Sequence, residues 1–100
     1  MRIKKGDYGF VIPARIIKAD STVFNLTGYT VKLKVWTAGS PTPTWTLDGT
    51  VTDAAAGKVE FTVENTHFTE TGSFIGEIEL TQAGHVESTL SFRVIVVESA

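Results

Sequence analysis

Apolar and polar residues alternate along much of this chain with a period of two. Over residues 30–37, Val31, Leu33 and Val35 fall on one side, and Lys32, Lys34 and Trp36 fall on the other. Residues 58–64 repeat the pattern, with Val59, Phe61 and Val63 against Lys58, Glu60, Thr62 and Glu64. Residues 73–81 put Phe74, Gly76, Ile78 and Leu80 on one side, with Glu77 and Glu79 opposite. This period is that of a strand with one buried face, and no segment sustains the 3.6-residue period of an amphipathic helix. Residues 85–98 read as one long closing strand with Val86, Leu90, Phe92, Val94 and Val96 inward. Further strands are expected over residues 9–18, 23–26 and 44–52.

Turn residues punctuate these runs. Ala55-Ala56-Gly57 joins the Val51 region to the Val59 strand, and Gln82-Ala83-Gly84 predicts a tight hairpin before the closing strand. Leu26-Thr27-Gly28 closes a loop ahead of Val31. Residues 65–72 form a longer connection with room for one helical turn. Gly39-Ser40-Pro41-Thr42-Pro43 belongs in an exposed loop, because proline lacks the donor a central strand requires.

About seven short strands without helices predict an all-β fold. The clean alternation favours two packed sheets over a closed barrel. The expectation is an immunoglobulin-like, two-sheet antiparallel β-sandwich filling residues 1–100 as a single domain. A chain of 100 residues has the size of one domain with one core.

Charge alters the picture in one respect. Nine basic and eleven acidic residues leave a net charge of −2, which gives no support to a nucleic-acid-binding role. The charges are segregated, however. Residues 1–34 carry seven basic groups against two acidic ones, and the remainder carries two against nine. A sandwich of this order places the Val31 strand beside the Ile78 strand, so that Lys32 and Lys34 face Glu77 and Glu79 and help to fix register. The sharper alternative is a bipolar molecule that stacks on copies of itself.

Candidate chemistry is sparse. There is no cysteine, so neither disulfide nor thiolate chemistry is available. His67 and His85 lack a second ligand at metal spacing. No Gly-x-Ser-x-Gly elbow or glycine-rich phosphate loop occurs. The sequence therefore predicts no catalytic residue, no cofactor and no metal. No apolar run long enough for a signal peptide or a membrane span is present, so neither a membrane role nor export by a leader is expected. What remains is aromatic. Trp36 and Trp45, with nearby Asp48, form the candidate contact site, as an exposed patch for a protein or a sugar. The competing expectation is that both indoles pack on each other and on the proline loop.

The order of landmarks adds a resemblance. Gly6-Asp7 near the start is followed by Leu26-Thr27-Gly28-Tyr29-Thr30-Val31, then by Gly72-Ser73-Phe74-Ile75-Gly76-Glu77-Ile78-Glu79, and by a closing Val94-Ile95-Val96-Val97. In that order and spacing the chain resembles the N-terminal immunoglobulin-like domain family of phage baseplate upper proteins and other small phage or prophage tail proteins. The resemblance implies a structural part of the tail or baseplate, assembled in the host cytoplasm into the virion. It implies contacts with other tail proteins, with a homo-oligomer left open. The alternative is a carbohydrate-binding or adhesion module that uses Trp36 and Trp45.

Overall fold

The structure, a computed structural model, describes residues 1–89 and 91–98. Eight strands occur in the order β1 (Arg2–Lys4), β2 (Val11–Arg15), β3 (Thr30–Trp36), β4 (Trp45–Asp53), β5 (Lys58–Thr62), β6 (Gly72–Gln82), β7 (His85–Ser88) and β8 (Phe92–Val97). Hydrogen bonding links them in the sequence β1-β8-β6-β3-β4-β5-β2, with β7 beside the far end of β6. All neighbours are antiparallel except β1 and β8, which run parallel with Ile3 opposite Val96. The fold is therefore all-β, a mixed sheet curled over one core, without a helix among the described residues.

The curl is made within β4. Its first half pairs with β3, from Trp45 opposite Val35 to Asp48 opposite Lys32. Its second half pairs with β5, from Gly49 opposite Phe61 to Asp53 opposite Lys58, with an irregularity after Val51. At the changeover sits Gly49. A Cβ on Gly49 would meet the Val31 carbonyl oxygen at 2.8 Å and the side chains of Phe61 and Val59 at 2.9 Å. Only a residue without a side chain lets β4 approach this closely as it bends from one neighbour to the next.

The inner face is apolar, as the alternation predicts. Val31, Leu33 and Val35 from β3 are buried with Leu47 from β4, Val59 and Phe61 from β5, Ile78 and Leu80 from β6, and Val94 and Val96 from β8. Complete burial of such side chains contributes roughly 1.5–3 kcal/mol each. Ile16, Leu26 and Phe68 come from loops and join the same core.

Several expectations are corrected in detail. The closing run is two strands, with β7 and β8 each pairing with a different part of β6. Val86 is exposed, because it stands opposite Thr81 on the outer side of β6. Leu90, expected inward, lies outside the described residues. The expected 9–18 strand ends at Arg15. The expected 23–26 strand is reduced to a single bridge between Val23 and Ile17, which makes this stretch a small hairpin of its own. The 65–72 connection contains turns and no helix. The Ala55-Ala56-Gly57 turn forms as expected. Gly57 has φ +68°, and a Cβ there would lie 2.7 Å from the Ile16 carbonyl oxygen.

Gly49→Ala should lower unfolding stability by about 2–3 kcal/mol, as overpacking in a core with no room to relax does. Thr50→Ala, one residue along on the outside, should stay within about 0.5 kcal/mol of the parent. Urea denaturation followed by tryptophan fluorescence checks both.

Candidate interaction site

The three candidate contact residues do not converge. Trp45 is paired in register with Val35 and faces the core, where it is only 7% exposed. Its indole packs against Phe74 at a centroid separation of 4.7 Å and against Phe68 at 5.3 Å. The expectation of an exposed tryptophan pair is therefore corrected, and so is the expectation that the two indoles stack on each other. Parity already carried this information, because Trp45 shares its side of the strand with the apolar Leu47. Trp36 does face outward, half-buried beside Ile75. Asp48 is also on the outer face but stands opposite Lys32, four residues along from Trp36. At about 3.3 Å per residue, that places them roughly 13 Å apart along the strand.

The lysine and glutamate rows meet as predicted. Lys32 is opposite Glu79 and Lys34 is opposite Glu77. The closest ion pair is diagonal, from the Lys34 ammonium to Glu79 Oε2 at 2.8 Å, both side chains being about a quarter exposed. Lys32 turns instead toward Asp48 on β4, at 3.8 Å. Such exposed cross-strand pairs contribute only about 0.2–1 kcal/mol, and their effect is chiefly on register. They also consume two of the lysines behind the N-terminal excess of positive charge.

The two histidines have structural surroundings. His67 accepts a hydrogen bond at Nδ1 from the Glu64 backbone N–H, 3.0 Å away, and its Nε2–H points at the Thr46 carbonyl oxygen, 3.1 Å away. It ties the β5–β6 connection to β4. The next residue, Phe68, is completely buried beneath Trp45 with a positive φ of 52°. That backbone conformation costs a non-glycine residue about 1–3 kcal/mol and persists only where the surroundings hold it. The His67 bonds, together with the Gly6 N–H donated to the Phe68 carbonyl, supply the hold. His85 lies at the start of β7 and pairs with Glu87 at 3.0 Å. Among the described residues, no group of three His, Cys, Asp or Glu side chains is placed to hold a metal ion.

One carboxyl is perturbed. Asp20 accepts from both the hydroxyl and the backbone N–H of Thr22, which stabilises the ionised form and holds its pKa below the ordinary aspartate range, with Lys18 adding to the effect. This interaction closes the tip of the Ile17–Val23 hairpin.

Exposed apolar residues and sheet edges remain as sites for contact. Of the large hydrophobic residues left exposed, four lie in one stretch of chain: Tyr8, Phe10, Val11 and Ile17. That stretch contains β2, the end strand of the sheet. From sequence the first segment and the last strand are both candidate edges, but Val11 and Ile17 occur in what looks like an ordinary half-buried strand. The signal available was parity: Ile12, Ala14 and Ile16 share one side, which leaves Val11 and Ile17 with Pro13 and Arg15 on the other. Edge strands with exposed apolar side chains are templates for pairing with another chain. The other end strand, β1, is three residues long and carries Arg2 and Lys4.

Residues 2–100 match the family model of the BppU N-terminal domain. No curated protein matches the chain.

His67→Ala should cost about 1 kcal/mol in urea unfolding, the usual net worth of a side-chain hydrogen-bond anchor, whereas His85→Ala should change stability by less than about 0.5 kcal/mol. Asp20 should release its proton at lower pH than a free aspartate in an NMR titration. Because its folded pKa is lowered, its contribution is complete above the unfolded value and is lost as pH falls through the folded one. Asp20→Asn should therefore lower the melting temperature at neutral pH and converge with the parent in acid.

Proposed function

The chain belongs to the BppU N-terminal domain family, the N-terminal part of baseplate upper proteins, and we propose that it works by joining neighbouring proteins during assembly of the virion. The family is that of a structural component of the phage baseplate, so the protein is virion-associated. The match over residues 2–100 carries the reading. In this view the curled sheet is an immunoglobulin-like sandwich with the β6–β3 face as one layer and the β5–β2 end of the sheet as the other. The clean separation of buried and exposed positions along β3, β5 and β6 supports this. The domain assembles in the host cytoplasm, binds other tail or baseplate proteins, and needs neither cofactor nor membrane.

The surface supports contact rather than turnover. Its ionisable side chains are either solvated or engaged in register and turns, and four of the seven large hydrophobic residues exposed among the described residues lie within residues 8–17, in and around β2. A sugar platform built on two tryptophans has lost one of its rings to the core, which leaves assembly as the better reading.

Purified chain mixed with baseplate and tail proteins encoded in the same phage or prophage genome should co-elute with at least one of them. Size exclusion with light scattering measures this, and an antibody to the chain should label the tail tip of intact particles. Absence of both the complex and the label would overturn the reading.

A further inference from the structure

We infer that the gap in the curled sheet between residues 15–19 and β7 is an acceptor for an extended, acidic segment of a different baseplate protein. This inference rests on the assembly reading and names the surface it would use. The first observation is the direction of the backbone on each side of the gap. Lys18 N–H donates to the Thr22 carbonyl and Phe24 N–H to the Ile16 carbonyl, flanking the Ile17–Val23 bridge. In an antiparallel pair this pattern turns the N–H and C=O of Ile17 away from Val23. Ile16 N–H donates to Gly57, so the same alternation turns the backbone groups of Arg15 outward as well. Across the gap, Thr89 N–H donates to Ile78. With the β6–β7 register, this places Val86 and Ser88 with their backbone groups pointing away from β6. Both rims therefore present the donors and acceptors of an unfinished sheet.

The second observation is a groove between those rims. A depression of about 460 Å³ runs between Ile17 and Lys18 on one side and Glu87 and Ser88 on the other, over a floor that includes Phe24 and Leu80. It extends along Arg15 toward Ile78 and Phe92, where a second depression measures about 610 Å³. One lip carries Ile17, an apolar side chain that is 53% exposed. An added strand would lay alternate side chains over this floor while its main chain pairs with the rims, as in strand addition to a sheet edge.

The third observation selects the occupant. The charged side chains bordering the groove are Arg15, Lys18 and Glu87. Glu87 lies 3.0 Å from His85, Lys18 also feels Asp20, and neither Arg15 nor Lys18 has a carboxylate within ion-pair distance among the described residues. Two cations to one carboxylate border the groove, and this balance favours acidic residues on the incoming segment. A second copy of this chain fits less well. Antiparallel pairing of two β2 edges would bring Pro13 into the ladder, and proline has no N–H to donate. Pro13 thus closes the middle of the β2 edge and leaves pairing to the Arg15–Ile17 end.

The experiment uses the isotope-labelled full chain, titrated with eight-residue synthetic peptides that alternate valine with glutamate, lysine or serine. The glutamate peptide should shift the amides of Arg15, Ile17, Val86 and Ser88, slow their hydrogen exchange, and bind at least tenfold more tightly than the lysine peptide. The exposed double substitution Arg15→Glu with Lys18→Glu should invert that preference, and Ile17→Ser should weaken all binding without altering the circular dichroism spectrum. No binding, shifts confined to other residues, equal affinity for the three peptides, or concentration-dependent self-association protecting the same amides would each overturn the inference. The same double variant separates this inference from the broader reading. If it still co-elutes with baseplate proteins as the parent does, assembly stands and the gap is not the site. If the parent itself binds none of them, the assembly reading fails.

Discussion

β4 has to serve two neighbours that lie in different directions. Its first half completes the ladder of β3 and its second half that of β5, so the strand bends across the core it helps to enclose. Everything on the inner face depends on that bend. Val59 and Phe61 reach Val31 because β5 is carried around by the second half of β4, and the whole turn passes over Gly49, where a Cβ would have 2.8 Å to the Val31 carbonyl. A flat sheet of these strands would expose one apolar face to water. The curl removes that face from water without a helix to cover it.

β6 is the counterpart of β4 on the other side of the core. Its eleven residues pair with β3 along one edge and share the other edge between β8 and β7. Gly76 lies where β6 and β8 meet, and the Phe92 ring covers it, with ring atoms 2.7–2.8 Å from where a Cβ would stand. Two glycines thus mark the two places where backbone must come close to a neighbour, one by bending and one by receiving an aromatic ring. Phe68, in a strained left-handed conformation, fills the end of the core beneath Trp45. The strain is offset by burial of a whole phenyl ring and by the His67 bonds that hold its loop.

Much of this was legible in the residues. The alternation in 31–35, 59–63 and 74–80 identified three strands and their buried sides, because a period of two has no other physical meaning when one face must be dry. The Ala83-Gly84 hairpin and the neighbourhood of Lys32, Lys34, Glu77 and Glu79 followed from turn chemistry and strand order. The parallel pairing of Arg2–Lys4 with residues 95–97 was not legible, since nothing local marks a contact between the two ends of a chain. The burial of Trp45 is masked by the proline loop that precedes it, and only its parity with Leu47 reveals it. The division of residues 85–98 was hidden for a related reason. Apolar residues continue through Val86 and Phe92, but the two segments pair with different parts of β6, and strand length alone does not reveal a change of position. The candidate site was the least legible part, because it consists of backbone groups whose freedom depends on which neighbours the fold provides.

A curled sheet that does not close must have edges, and each one here is treated differently. β1 is too short to template much pairing and bears Arg2 and Lys4. β2 carries Pro13 at its centre, which interrupts the outward row of donors. β7 is four residues long and is followed by Thr89, whose hydroxyl accepts from the Ile78 N–H and whose N–H donates to the Ile78 carbonyl. Short strands, charge and proline are the usual ways to keep an edge from aggregating. The stretch from Arg15 to Ile17, which faces the outward groups of β7 across the groove, departs from this pattern. It is adjacent to a protected strand, yet it keeps its outward donors and an exposed isoleucine, and it faces an apolar floor. If the edge served only as the end of a monomeric fold, the proline would be as useful two residues later. Its position at residue 13 protects the open half of β2 while leaving the half that borders the groove free to pair, so the placement of a single proline divides one edge into a closed part and a receptive part.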